Sequence, residues 1–454
     1  MGWRRCVSLL GVKRPDDFLQ PPDRVRQWSV AAAFVTLGLV LIGGVAWGRR
    51  IERELPEIKL GAPPLVGEWR WHLTPAVLPA IGLGGLVVVF GPTLARRLSF
   101  RMLVAISALT AAAFAFSLAA SDGLSAVLGP VVHPTEYWDN LDVLPSGGRM
   151  LEWFAVQDFL KYFSVHLKGH PPGFILLLKG LAAMGLGKPW VAGALSYLGV
   201  ALMAAGVLTT VRLVVSDVAA RKCVPFVVIA PFSMWLGTSA DAFFAGVGAI
   251  GVACVAWSLT ARDRSVAFGA AALAGLSLGG LLFLTYAGAT FLVIPAVITL
   301  GMWQAPWRAR LQRAGVAFTG IALVVFIFRG FGFWWIDGLR NTNWFYWNGT
   351  AAFRPWRYFL VSNLGAMSVA LGPAVIAGIV SLRRSRLWLV VGAALVCVSL
   401  ATASQYTKGE VERIWVLFYP WMIPAVAVLP SPRRWLALQT TVVLLLQMWL
   451  VSKW

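Results

Sequence analysis

Apolar runs of about 17 to 25 residues recur along nearly the whole chain, separated by short polar connections, and that spacing predicts helices long enough to cross a lipid bilayer. The runs fall near residues 29–48, 73–95, 102–121, 190–211, 223–238, 242–260, 266–284, 287–304, 314–329, 358–381, 387–404, 414–430 and 436–452. The fold class expected from them is an all-α polytopic membrane protein of about thirteen transmembrane helices. Pro172 to Gly187 breaks the pattern, being apolar but only about 15 residues long and carrying Lys179. A full crossing there would put every later arginine cluster on the opposite side, so a re-entrant or tilted helix is expected.

Two polar interruptions stand out. Residues 122–172 form the one long loop rich in carboxylates and histidines, with Glu136, Asp139, Asp142, Glu152 and Asp158 beside His133, His166 and His170. Residues 330–357 gather five tryptophans with Asp337, Arg340, Arg354 and Arg357. That second segment reads either as an aromatic belt at the membrane interface or as a stacking platform beside cations.

Composition sharpens this picture. With 59% hydrophobic residues the chain exceeds what a soluble core needs. The net charge of +20 sits in short clusters between apolar runs, not on one amphipathic face, so nucleic acid is not an expected partner and the lipid bilayer is. The loops placed on one side by this topology hold 22 of the 39 basic residues but only five of the 19 acids, which orients that side, and the amino terminus, toward the cytoplasm. Residues 1–28 carry six basic residues and read as a basic lead before a retained first helix, not a cleaved signal peptide. The expected organisation is that lead, two helices over 29–101, and a core over 102–454 that includes the outer loop and re-entrant helix of 122–188. Cys6, Cys223, Cys254 and Cys397 have neither disulfide nor zinc spacing. Four outer regions should then share one face: 122–172, the Ser239-Ala240-Asp241 turn, 330–357 and Gln405 to Arg413.

Glu136-Tyr137 with nearby Asp139 and Asp142, His170-Pro171-Pro172-Gly173, and Ser239-Ala240-Asp241 together carry a resemblance. A long first loop with an acid soon after its transmembrane helix, closed by a proline pair and followed by many spans, resembles the GT-C superfamily of membrane glycosyltransferases. A comparable proline pair follows the acidic loop in protein O-mannosyltransferases and bacterial lipid-sugar transferases. The stretch Gly409-Glu410-Val411-Glu412-Arg413-Ile414-Trp415 is similar to one in actinobacterial membrane proteins of this type. The chain departs from the pattern in one respect: adjacent acids of the DE or DxD kind are absent, Thr135 preceding Glu136 and two residues separating Asp139 from Asp142.

The resemblance implies a polyprenyl-phosphate sugar as donor, a cell-envelope glycan or glycolipid as acceptor, an extracytoplasmic site in the cell membrane, and inversion at the anomeric carbon. A carboxylate then takes the acceptor proton, and Glu136 is the first choice, with Asp139 and Asp142 behind it. In a helix these three share a face, and close carboxylates raise one another's pKa. Arg413, Arg354, Lys168 and His170 are the candidates for the departing phosphate. Tyr137, Trp138, Asp241, Glu410 and Glu412 complete the substrate-facing set. Each has a plainer reading: solvated loop acids, a Glu-Arg ion pair at Arg413, a helix start at His170, an N-cap at Asp241. Clustered acids and histidines permit a divalent metal, but no spacing selects one. Two other functions compete, a lipid-linked glycan flippase or transporter and an inactive scaffold subunit. The near absence of ionisable residues inside the spans argues against a coupled transporter.

Overall fold

The structure, a computed structural model, describes residues 24–145, 148–237 and 239–452. Most of the basic lead of residues 1–28 lies outside the described residues. Among these residues the chain is almost entirely helical, with only two short antiparallel ladders, Gly61–Ala62 against Leu65–Val66 and Glu68–Trp69 against Leu450–Val451. Eight helices are long and apolar enough to cross a membrane, or nine if the bent pair Val411–Leu417 and Tyr419–Val428 counts as one.

The remaining expected runs are shorter or broken, and prolines explain three of the breaks. The stretch expected as one span at 223–238 is the helix Asp217–Val228 followed by a separate turn, Pro231–Trp235. The stretch at 287–304 is split into Ala287–Phe291 and Val293–Gly301, because Pro295 has no N–H to offer Phe291. Pro420 interrupts the 414–430 stretch at its 66° bend. Trp388–Ala403 has 16 residues, and Pro432–Trp449 passes into the strand Leu450–Val451.

Small residues let the central helices meet closely, as expected where lipid gives no hydrophobic drive for helix association. Helices Pro189–Val214 and Ala240–Thr260 approach so that a Cβ on Gly199 would strike the Ala242 carbonyl and Phe243 Cα. A Cβ on Gly246 would in turn meet the Gly199 backbone.

The bundle has two chemically distinct ends. At one, loops rich in arginine interlock: Arg221 donates to the Ala95 and Leu98 carbonyls, Arg212 lies over Phe100, Lys222 donates to Ala427, and Arg433 reaches Thr93. Arg310 caps Leu300, and Arg386 meets Gln304 at the same end. The other, carboxylate end holds the polar loops. There Thr342 donates to the Lys168 carbonyl, Asn341 to Ala155, and Tyr346 to Gln405. His72 and Asp122 pair at 2.9 Å, and Gln447 also donates to Asp122.

The helix Gly173–Leu181 stays at the carboxylate end, where its Lys179 Nζ donates to the carbonyls of Leu141 and Leu144 at 2.9 and 2.8 Å. The charge inside that apolar run therefore serves as a cap for the acidic loop.

Candidate functional site

Local backbone sets the acidic loop. Glu136 N–H donates to the His133 carbonyl, and Trp138–Asn140 forms a single 3-10 turn instead of the α-helix the acid spacing suggested. Glu136 lies in the turn before this one and Asp142 after it, so no continuous helix aligns the acids; Glu136 is turned inward while Asp139 and Asp142 are exposed, and the expectation that all three point into one cleft is corrected. The polar side of the inward turn is completed from 30 residues downstream: Ser164 caps the helix Val165–Gly169, which aims His166 at Glu136. Glu136 Oε1 lies 3.0 Å from His166 Nε2, with the side chains only 12% and 9% exposed.

Burial pushes the Glu136 carboxyl up to about 7, opposed by the field of Arg413 and reinforced by the charge on Asp241. His166 is held well below its usual range by burial, then by the charges of Arg413, His170 and His133. Near and above pH 7 the pair thus consists of a carboxylate and a neutral imidazole that donates Nε2–H to it.

His170 stacks on His166 with ring centroids 6.0 Å apart. Its backbone is extended, at φ −128° and ψ 155°, as the following proline requires. Burial lowers its pKa, partly offset by Asp241, and it hydrogen-bonds the backbone of Leu284. The Nδ1 atom of His170 is buried without a hydrogen-bond partner, and so is the hydroxyl of Tyr137, whose ring contacts both histidines. Glu136, Tyr137 and Trp138 border a small cavity whose far wall is Phe174, Leu178 and Ser196. Buried polar atoms without a protein partner are uncommon in folded proteins.

Arg413 links the remaining elements. Its Nη1 lies 3.2 Å from Asp241 Oδ2 and its Nη2 3.6 Å from Glu410 Oε2. Asp241 also accepts from Ser239 Oγ, the cap of the helix Ala240–Thr260, so Ser239 is the N-cap and Asp241 joins the ion pair from the first turn. Glu410 further accepts from Arg354 at 3.2 Å.

Other expected site residues lie elsewhere. Arg354 spends its donors on the Ile58 and Lys408 carbonyls and on Glu410, which makes it a clamp between segments instead of a free phosphate ligand. Glu412 is fully buried and accepts the Val66 N–H at 2.8 Å, so it anchors the Gly61–Val66 hairpin and does not face the cavity. Lys168 rests over Phe345, outside the Glu136–Arg413 cluster. Trp335 is anchored by its Nε1–H to the Leu282 carbonyl, whereas Trp344 and Trp347 are exposed, Trp347 beneath Lys408 Nζ at 4.2 Å. Among the described residues no group of three or more His, Cys, Asp or Glu could hold a metal ion.

The turn that delivers Glu410 and Arg413 is conformationally expensive. Gly409 has φ +91° and Glu410 φ +59°, two consecutive left-handed residues. Asn363 fixes the turn by donating to the Thr407 carbonyl and accepting the Gly409 N–H. A Cβ at Gly409 would sit 2.8 Å from Phe359 Cε1. Gly409→Ala is expected to cost about 1–3 kcal/mol and to displace Glu410 from Arg413. Thermal unfolding in detergent micelles checks this, and a melting point equal to that of the unaltered protein would refute it.

The residue that sequence reasoning missed is His166. Its spacing of four from His170 was a weak signal, but nothing local connects it to Glu136. The segment Pro56–Trp69 was also overlooked, because its contribution is made by backbone groups. No protein-family model matches this chain, and no match was found among curated proteins or solved structures.

Proposed function

We propose that this protein is an inverting membrane glycosyltransferase that moves a sugar from a polyprenyl-phosphate donor to a cell-envelope glycan or lipid acceptor. The basic end faces the cytoplasm and the carboxylate end the extracytoplasmic side of the cell membrane, in keeping with the positive-inside rule. The observation that carries the reading is the convergence of Glu136, His166, Asp241 and Arg413 from three distant segments, with an uncapped His170 Nδ1 and a small cavity that Glu136 alone of these groups lines.

In the proposed step the Glu136 carboxylate accepts the proton of an acceptor hydroxyl, and the oxygen attacks the anomeric carbon from the face opposite the phosphate. The carbon–oxygen bond to phosphate breaks and its electron pair leaves with the polyprenyl phosphate. A base whose pKa lies near the working pH is well matched to that transfer. Arg413 supplies positive field beside the reacting groups, while the open His170 Nδ1, an acceptor because the ring's proton is given to Leu284, is suited to a sugar hydroxyl and not to the phosphate.

Incubating the purified protein with labelled polyprenyl-phosphate mannose and arabinose is the direct test, and transfer from one of them is the expected outcome. Asp139→Ala and Asp142→Ala, both at exposed positions, are expected to retain activity within about threefold. Loss of turnover in either would move the base away from Glu136. Scrambling of a lipid-linked glycan in proteoliposomes without any sugar transfer would replace the transferase reading with that of a transporter.

A further inference from the structure

At the basic end, Pro92 and Arg96 of the helix Leu78–Arg97 and Ser431, Pro432, Arg433 and Arg434 at the start of the helix Pro432–Trp449 line a cleft of about 290 Å³. Its lining contains three guanidinium groups and no acid. The other arginine clusters at this end differ: Arg212 and Arg221 share Asp217, Arg310 caps carbonyls, and Arg386 meets Gln304. Here only Arg433 is tied down, by the Val89 carbonyl and Thr93 Oγ1, which fixes its position. The side chains of Arg96 and Arg434 are exposed and have no hydrogen-bond or ion-pair partner among the described residues.

Like charges gathered in one concavity repel one another and focus a positive potential, and an anion relieves the repulsion. Guanidinium groups are suited to phosphate because their planar donor sets match its oxygens. Pro92 and Pro432 shape the walls with rigid backbone, so the concavity persists without a ligand. Exposed apolar residues continue away from the cleft on the same two helices, Val89, Phe90 and Leu94 on one and Leu438 on the other.

We propose that this cleft is a binding site for a phosphate-bearing anion, separate from the carboxylate end and independent of the transferase reading. The phosphate is either that of an anionic lipid headgroup, whose chains would lie along the exposed apolar faces, or free in solution.

The test uses the full-length protein in micelles of a neutral detergent, titrated with dioctanoyl phosphatidic acid, dioctanoyl phosphatidylcholine and inorganic phosphate, with binding read by native mass spectrometry. Saturable binding of phosphatidic acid or phosphate is expected, with phosphatidylcholine at least tenfold weaker. Arg96→Gln combined with Arg434→Gln is expected to weaken binding at least tenfold. Arg383→Gln combined with Arg384→Gln, which removes the same charge at the same end, should change it less than twofold. Competition by inorganic phosphate assigns the site to a soluble anion, and phosphatidic acid binding that phosphate does not displace assigns it to a lipid; either supports the site. Equal weakening in both double variants, equal binding of phosphatidylcholine, or no saturable binding of any phosphate ligand would overturn it. The substituted arginines are solvent-exposed, so an unchanged melting curve serves as the folding control.

Discussion

Glu136→Gln is expected to lower sugar transfer by about 10²- to 10⁴-fold, the range that a positioned proton acceptor contributes, without loss of the fold. The amide keeps the size of the carboxyl and an oxygen that can accept from His166 Nε2–H, so the cavity wall is preserved while the base is removed. In the unaltered protein, kcat/KM should fall tenfold per pH unit below about pH 7, because the carboxyl, pushed up to about 7, is then protonated. A base in the ordinary carboxylate range would show no such limb above pH 5. Stability carries the same signature with its own sign. Between pH 4.5 and 7 the folded state holds a proton that the unfolded chain has lost, so the Glu136 contribution falls as pH rises through that window. His166 acts in the opposite sense, since the unfolded chain takes up a proton below about 6.5 that the folded state resists. Relative to the unaltered protein, Glu136→Gln should therefore be more stable above pH 7, by up to about 3 kcal/mol, and little changed near pH 4.5. Melting curves of both proteins across this range, paired with the rate profile, decide the matter. An unshifted acid limb near pH 4.5 would remove Glu136 from the reaction.

Arg413→Ala is expected to be the most destabilising single change, at about 3–5 kcal/mol, because it leaves Asp241 and Glu410 without the cation that bridges them. Both ends of the bridge are well covered, Arg413 at 7% and Asp241 at 14% exposure, so water replaces little of what is lost. Arg413→Lys keeps the charge but cannot span both carboxylates through two nitrogens, and should lie between the two. Combining Arg413→Gln with Asp241→Asn should recover part of the stability of the single variants without recovering transfer, since the two side chains are directly coupled. One further readout separates electrostatics from packing. The Arg413 charge lowers the Glu136 pKa, so Arg413→Gln should move the acid limb to higher pH while Arg413→Lys leaves it nearly in place. A melting point unchanged in Arg413→Ala would mean that the bridge does not hold these segments together.

The sequence made the helical class legible because apolar runs of spanning length leave few other solutions. It also made legible which loops gather at which end, since the arginine clusters alternate with the acidic and aromatic connections. Breaks inside runs were less visible: Pro231, Pro295 and Pro420 sit among strongly apolar neighbours that dominate any hydropathy reading. Within the site, Glu136 was singled out because it belongs to a local cluster, but the same cluster misled over Asp139 and Asp142. Their direction depends on the breaks between successive short turns, which three-residue spacing does not reveal. Arg354 looked like a phosphate ligand because it is a cation in the tryptophan-rich segment, and Glu412 like a substrate contact because it lies in the Gly409–Trp415 stretch. Their partners are main-chain groups of Ile58 and Val66, and main-chain groups leave no mark on a residue pattern.

The hairpin anchored by Glu412 has a consequence for biogenesis. Val66 is synthesised 346 residues before the carboxylate that receives its N–H, and Glu68 and Trp69 wait still longer for Val451 and Leu450. Arg354 and Ser362 give that early segment a first dock on the Ile58 and Pro64 carbonyls, but the Val66 N–H and the Glu68–Trp69 edge must be served by water or by a chaperone until their own partners are made. Maturation of this end is therefore a late event, and a nascent chain halted before residue 412 would carry its bundle helices with the Val66 N–H still lacking the carboxylate that receives it.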